Sequence, residues 1–251
     1  MEGQLAKMDG CFRRTCKVVL QDEVGELREF DGFLRRYIEP LRQTNSGISG
    51  KKVYYSEPYC EGAKFLSLDE IEKMKTEPFH PSEIKDIEGL LNAMHERFCY
   101  AGNKIMGNSQ DVVESESCVD AVHVLQSHQV FNCEYIVYCQ MVIDSKFLFG
   151  CSWGGENNFC INTSEMYKAA RCFESAFVIN SRDVYFSYNC RECNEAMFCF
   201  NQFSKNYSIG NSQLPRDKYG ELKKKLIGEI VEILKKRKTV PSLVELSAEV
   251  W

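Results

Sequence analysis

From Ser109 to Cys199, every third residue is small or aliphatic and uncharged, and this rhythm restricts the backbone more than any other feature of the 251-residue chain. The 31 positions hold nine Cys, seven Ser, six Val, three Ala and six other uncharged residues. The 60 positions between them carry all 17 charges and all 14 aromatics of the segment. Every cysteine after Cys99 falls in this one phase.

An α-helix advances about 100° per residue, so a three-residue repeat circles its axis within about six steps and defines no face. A flat strand alternates with period two and would turn every second triplet position outward. A 3₁₀ helix has the right period but is confined to runs of about 3–4 residues. Packed polyproline II chains need glycine where they crowd, and glycine is scarce here. What remains is a parallel β-solenoid, whose coils satisfy their backbone groups by pairing with the next coil and turn one residue in three toward a narrow axis. Ser, Cys, Ala and Val suit a thin core, with Cys acting as a small buried hydrophobe, and the aromatics are left outside. A coil of about 18 to 24 residues would give about four to five coils at the ~4.8 Å strand spacing. Hexapeptide acyltransferase solenoids place a small residue four positions after an aliphatic one; here the spacing is three. Ice-binding solenoids carry outward threonine ranks, which this segment lacks.

The flanks read differently. In residues 22–42, Val24, Leu27, Phe30, Phe33, Leu34, Tyr37, Ile38 and Leu41 have helical spacing, and "KKVYYSEPY" reads as a short strand. Ser67 and Glu70 form a capping box for a short helix through Lys75. A second helix is expected from Pro81 or Ser82 to about Phe98, burying Ile84, Ile87, Leu90, Leu91, Met94 and Phe98. At the other end the chain leaves the triplet register at Gln202. Pro215 then opens a helix to about Lys236 with a stripe of Tyr219, Leu222, Leu226, Ile230, Ile233 and Leu234. The predicted organisation is therefore mainly β: a small α+β N-terminal cap (1–104), a parallel, β-helix-like solenoid (105–201), and a loop, basic amphipathic helix and tail (202–251).

No apolar run approaches the roughly 18 residues of a membrane span. "MEGQLAKMDGCFRRTCKVV" has no apolar signal core, so a cytoplasmic location with thirteen reduced cysteines is expected. Residues 109–199 carry 12 acidic and 5 basic side chains, a net of −7, whereas residues 200–238 carry 10 basic and 4 acidic ones, a net of +6. The basic helix can therefore lie against its own acidic body, with a polyanion as the second candidate partner.

Candidate chemistry is sparse. There is no P-loop, dinucleotide glycine fingerprint, G-x-S-x-G elbow or H-E-x-x-H motif. His123 and His128 lie outside the inward phase, where a solenoid enzyme of the acyltransferase or metal-hydratase kind would carry its base. Cys190 and Cys193 form a C-x-x-C pair, to which Cys172 and Cys199 are the nearest further zinc ligands, but the inward phase makes all four core residues. Cys11 and Cys16, with Cys60 and His80, are the other candidate zinc set. Neither is assigned as a cofactor site.

The stretches "YAGNKIMGNSQDV" and "NCRECNEAMFCFNQFSKNYSIGNSQLPRDKYGELKKKL" resemble the repeat start and C-terminal part of an uncharacterised cysteine-rich triplet-repeat family of archaea and candidate-phylum bacteria. The similarity spans about residues 95–230. It implies the repeat architecture and no established activity.

The exterior aromatics point to an interface. Tyr135, Tyr138, Phe147, Trp153, Phe177, Tyr185 and Tyr188 are the expected contact residues, unless the flanking helices cover them. The expected function is a non-enzymatic, rigid interaction scaffold that binds a protein partner or itself as a homo-oligomer. The solenoid enzyme centred on His123 and His128 is the alternative. The third reading is binding of RNA or the ribosome through Lys223, Lys224, Lys225, Lys235 and Lys236.

Overall fold

The computed structural model describes residues 2–74, 77–143, 149–155, 161–166, 168, 171–179, 182–192 and 194–241. The N-terminal part comprises helix α1 (Glu2–Val19), a 3₁₀ turn (Leu27–Phe30), helix α2 (Asp31–Leu34), strands β1 (Arg42–Asn45), β2 (Lys52–Tyr55) and β3 (Phe65–Ser67), a second 3₁₀ turn (Leu68–Lys73) and helix α3 (Ile87–Arg97). Strands β4 (Tyr100–Gly102), β5 (Ile105–Met106), β6 (Gln110–Val113), β7 (Glu116–Val119), β8 (Val122–Leu125), β9 (His128–Phe131), β10 (Glu134–Val137) and β11 (Gln140–Ile143) follow. After these come β12 (Asn162–Met166), β13 (Arg171–Cys172), β14 (Glu174–Ile179), β15 (Asp183–Tyr185), β16 (Ser187–Arg191), β17 (Glu195–Met197), β18 (Phe200–Phe203), β19 (Ser208–Ile209), β20 (Ser212–Gln213) and helix α4 (Arg216–Arg237).

The repeat is a parallel β-solenoid of about seven turns. Its sheets run β10-β8-β6, β11-β9-β7-β5, β12-β14-β16-β18 and β13-β15-β17-β19-β20. Val112 pairs with Val124 and Val124 with Ile136, so one coil takes 12 residues, fewer than the 18 to 24 expected. The first coil holds one residue more: Ile105 pairs with Cys118, an offset of 118 − 105 = 13.

A 12-residue coil closes because its backbone turns a corner at every third residue. From Asp111 to Met141 each third residue has φ between 48° and 61°. The inward residue of each triplet follows such a left-handed corner directly. An L-residue in this region costs about 1–2 kcal/mol, and only Asp and Asn visit it readily. The corners are held by contacts with their equivalents one coil on. Gln126 Nε2 donates to Glu114 Oε2 (2.6 Å), Asn189 Nδ2 to Asn201 Oδ1 (3.0 Å), and Phe186 stacks on Phe198 at 5.2 Å.

The inward thread is as expected. Cys118, Ala121, Val124, Ser127, Val130, Ile136, Cys139, Thr163, Val184, Ser187, Cys190 and Ala196 are fully buried. The same phase continues past Cys199, because Gln202 is 6 % and Ser208 0 % exposed. The chain therefore keeps the register beyond Gln202, where the sequence suggested that it leaves. The hydroxyls and thiols in this thread are satisfied locally. Ser115 Oγ donates to Val113 O (2.7 Å), Ser127 Oγ to Leu125 O (2.9 Å), and Ser187 Oγ to Tyr185 O (3.0 Å). Cys118 and Cys190 Sγ each lie 3.5 Å from the carbonyl two residues back. Ser115 and Ser187 Oγ also accept the amides of Ser127 and Cys199, one coil on. Ser and Cys thus combine small volume with a donor that reaches a nearby carbonyl; the exception is Ser208 in the last coil, whose buried Oγ meets no partner among the described residues.

A second core lies outside the solenoid, where α1, α2 and α4 pack on its flank. Met8, Cys11, Phe12, Cys16 and Val19 of α1 meet Phe149, Ile161, Phe173 and Phe186 of the coils and Ile227, Ile230, Val231 and Leu234 of α4. Three sequence-based expectations are corrected. Helix α1 was not anticipated, although Met8, Cys11, Phe12, Thr15, Cys16 and Val19 form a fully buried helical stripe. Residues 22–42 hold the 3₁₀ turn and the four-residue α2 instead of one helix, with Gly25 at φ 142° before the turn. Helix α3 starts at Ile87, and its apolar residues face outward: Ile84, Ile87, Leu91, Met94 and Phe98 are 41–77 % exposed. The Ser67–Glu70 capping box is present, on a 3₁₀ turn ending at Lys73. Pro215 is the N-cap of α4, as expected.

Candidate functional site

The solenoid end that carries β16 and β18 presents aromatics on successive coils. Tyr188 lies beside Phe200 in the ladder and Arg191 beside Phe203. Tyr188, Phe200 and Phe203 are 47 %, 57 % and 63 % exposed. Tyr188 and Phe200 share one side because residues twelve apart occupy equivalent places on adjacent coils, and Phe203, the equivalent of Arg191, follows just past the Asn201 corner. The Arg191 guanidinium lies 5.5 Å from the Phe203 ring centroid, placing a cation among the rings. The strand edge here is closed: Phe200 N donates to Asn211 Oδ1 (2.8 Å) and Asn211 Nδ2 to Phe200 O (2.9 Å). This face therefore offers side chains rather than an open ladder.

The other expected contact residues are distributed differently. Trp153 is 52 % exposed, at a corner with φ 81°. Tyr135 is partly buried and stacks on His123 at 4.8 Å. Tyr138 and Tyr185 are not exterior, each being 3 % exposed. Arg35 lies 3.7 Å over the Tyr138 ring, and burial with a hydrogen bond to Asp31 pushes the Tyr138 phenol up to about 12. Tyr185 donates to Val19 O (3.1 Å) at the end of α1. The flanking helices cover these two tyrosines, so neither belongs to a contact surface. Phe147 and the side chain of Phe177 lie outside the described residues.

The two histidines stand in different ranks. His128 is 1 % exposed, with Nε2 3.0 Å from Glu39 O, so it is covered and not an exterior base. His123 sits at a corner with Nδ1 2.9 Å from Asp111 Oδ2, although out of line for a good hydrogen bond. Of three clefts, of about 420, 420 and 330 Å³, none is lined by either histidine.

The thiols are core groups. Burial pushes Cys118 up to about 12, with Glu116 and Cys133 adding to the rise, and burial does the same to Cys16. Cys11 is also raised, chiefly by burial. Such thiols resist forming the thiolate that metal binding requires. Cys190 is fully buried, and Cys193 lies outside the described residues. Cys60 and His80 are exposed or half-exposed, away from the buried Cys11 and Cys16. Among the described residues no group of three or more His, Cys, Asp or Glu is arranged to hold a metal ion.

Among the described residues, the basic helix meets the acidic repeat at one ion pair and the N-terminal part at two. Lys223 reaches Glu195 (3.3 Å) and the Tyr185 ring, Lys235 reaches Asp22 (2.7 Å) and Lys238 reaches Glu29 (3.0 Å). Lys224, Lys225 and Lys236 are exposed, interleaved with exposed Glu221, Glu229 and Glu232. Among the described residues no helix is long and apolar enough to cross a membrane.

Two surfaces escaped sequence reasoning. Phe200 and Phe203 follow the last Cys of the triplet series, and their spacing of twelve and fifteen from Tyr188 was the available signal. The outward apolar face of α3, with a cleft of about 330 Å³ beside it, carried no such signal. No known protein family, curated protein or solved structure matches the chain. The resemblance to a cysteine-rich repeat family therefore has only its own quoted residues to rest on.

Proposed function

We propose that the protein is a rigid, non-enzymatic interaction scaffold whose aromatic face binds a protein partner or a second copy. The observation that carries this reading is the run of Tyr188, Phe200 and Phe203 on adjacent coils, each about half exposed or more, with Arg191 against the Phe203 ring. Aromatic residues and Arg are the side chains that most often anchor protein interfaces. A solenoid suits the role because its stacked coils hold the rings at fixed spacing, so little ordering cost remains on binding. The closed edge beside the face supports recognition by side chains and limits runaway stacking.

The test is a double substitution, Phe200→Ser with Phe203→Ser, both at exposed positions outside the core. Light scattering would follow the purified protein, and affinity capture from native cells would use each form as bait. The reading expects either a wild-type dimer that the variant lacks or a captured protein that the variant loses. Monomers in both forms with identical captures would overturn it.

A further inference from the structure

The two ends of the solenoid are finished differently. Within the body, the amides of the corner ranks that end each strand donate to a carbonyl one coil back. Gln126 N reaches Val113 O (3.0 Å), Tyr138 N reaches Leu125 O (3.4 Å) and Asn132 N reaches Val119 O (3.0 Å). At the N-terminal end the sheet containing β7 is extended by β5, but the sheet β10-β8-β6 stops at β6. The segment twelve residues earlier does not fill the place. Strand β4 pairs instead with β3, Phe65 beside Tyr100 and Ser67 beside Gly102. Gly102 lies so close to β2 that an added Cβ would come within 2.5 Å of Tyr54 O, which fixes this diversion.

Glu114 is the first member of the corner rank that continues through Gln126 and Tyr138. Its amide is thus the equivalent donor, yet it meets no backbone carbonyl among the described residues. Its side chain is already engaged, accepting from Gln126 Nε2 at 2.6 Å and from the Tyr54 hydroxyl. In front of it lies a cleft of about 420 Å³, with Ile105, Val112 and Glu114 on the solenoid side and Tyr54, Ser67 and Asn103 on the cap side. Ile105 and Val112 are only partly buried, so the inward thread is open to this cleft. Proteins usually blunt or cover strand edges, and the opposite end does so with Asn211.

We propose that this cleft binds an extended peptide segment of a partner protein, which adds as a parallel strand to β6. A carbonyl of the peptide receives the Glu114 amide. A Val, Ile or similarly slender aliphatic residue continues the column of Val112, Val124 and Ile136. Main-chain pairing supplies affinity and the column supplies selectivity, as in other strand additions. The site is separate from the aromatic face, and the proposal does not depend on it.

The probe is a labelled octapeptide with the chain's own sequence at residues 120–127, DAVHVLQS, whose strand already follows the coil register. Its control carries Val124→Asp. Fluorescence anisotropy would measure binding, and hydrogen exchange would follow single amides of the intact protein. In the free protein the Glu114 amide should exchange at least about ten-fold faster than that of Gln126, and saturating peptide should slow it at least about ten-fold. The Asp peptide should bind at least about ten-fold more weakly, because its carboxylate would stand in the apolar column over Val112, and Lys51, the lysine lining the cleft, is already paired with Asp69. A Glu114 amide as slow as Gln126 from the outset, the absence of saturable binding, or equal binding of both peptides would each overturn the proposal. The Phe200→Ser, Phe203→Ser protein should bind the peptide as wild type does, which separates this result from the fate of the aromatic face.

Discussion

The protein has two cores built on opposite rules. Inside the solenoid each coil offers four inward positions, filled with Ser, Cys, Val and Ala, whose polar atoms find carbonyls two residues away. Between the coils and helices α1, α2 and α4, the core is made of large rings and branched chains: Phe12 meets Phe30 at 5.4 Å and Phe149 at 5.3 Å, and Phe173 meets Phe186 at 5.1 Å. The inner core is governed by backbone geometry, because the corner spacing fixes how much volume each position can hold. The outer core is governed by area removed from water, and its residues come from three distant parts of the chain.

Four experiments would break or sharpen this contrast. The largest effect is expected from Phe149→Ala, which empties the centre of the outer core. Urea unfolding should show a loss of about 3–5 kcal/mol, and a loss below about 1 kcal/mol would mean that the helices are not mounted on the coils.

Alkaline pH should weaken both cores. Cys16 in the outer core and Cys118 in the inner one are raised from 9.0 to about 12. Between those values the unfolded chain gives up each thiol proton and the folded chain keeps it, so stability falls as pH rises, by up to about 1.4 kcal/mol per pH unit for each thiol. Removing either cysteine as Cys16→Ala or Cys118→Ala should flatten the urea-midpoint profile between pH 9 and 11. If only one does so, the other core is hydrated.

The third experiment compares sizes within the inner thread. Ser127→Leu loses both of its hydroxyl hydrogen bonds and should cost about 1–3 kcal/mol more than Ser127→Ala, by overpacking. Ser127→Ala should cost only about 1 kcal/mol, from two lost hydrogen bonds. Equal costs would show that volume does not rule the thread. The smallest effect is expected at the margin of the outer core, where Lys235 meets Asp22 in solvent. Lys235→Ala should barely move the urea midpoint, and move it less still in high salt.

The inner core was readable from sequence because each coil repeats the same local decision. Where the side chains are described, the three-residue rhythm named the inward residues correctly from Ser115 to Cys199, and it excluded the helix and the flat strand. The coil length was not read, although it was present at a longer period. Ser115, Ser127, Cys139 and Cys151 are twelve apart, as are Asn189 and Asn201, and Phe186 and Phe198. The triplet conceals this because any multiple of three preserves it. The outer core was harder, since no periodicity links α1, Phe149 and α4. The α1 stripe includes Cys11, Thr15 and Cys16, which weaken its apolar signature. For the same reason the exterior aromatics could not be sorted by sequence alone: Tyr138 and Tyr185 lie under helices, whereas Trp153 and Tyr188 do not. Glu114 could not be singled out at all, because what distinguishes it is a missing neighbour.

The twelve-residue coil also makes the rod a modular object. Excising residues 116–127 would keep every later side chain on its own side of the wall and shorten the stack by a single rung of ~4.8 Å. Removing a lone residue would instead swap inside for outside along everything downstream. The register tolerates a change of length only in whole rungs, and among the described residues the thirteen-residue first coil marks the one seam where the chain has used a different count.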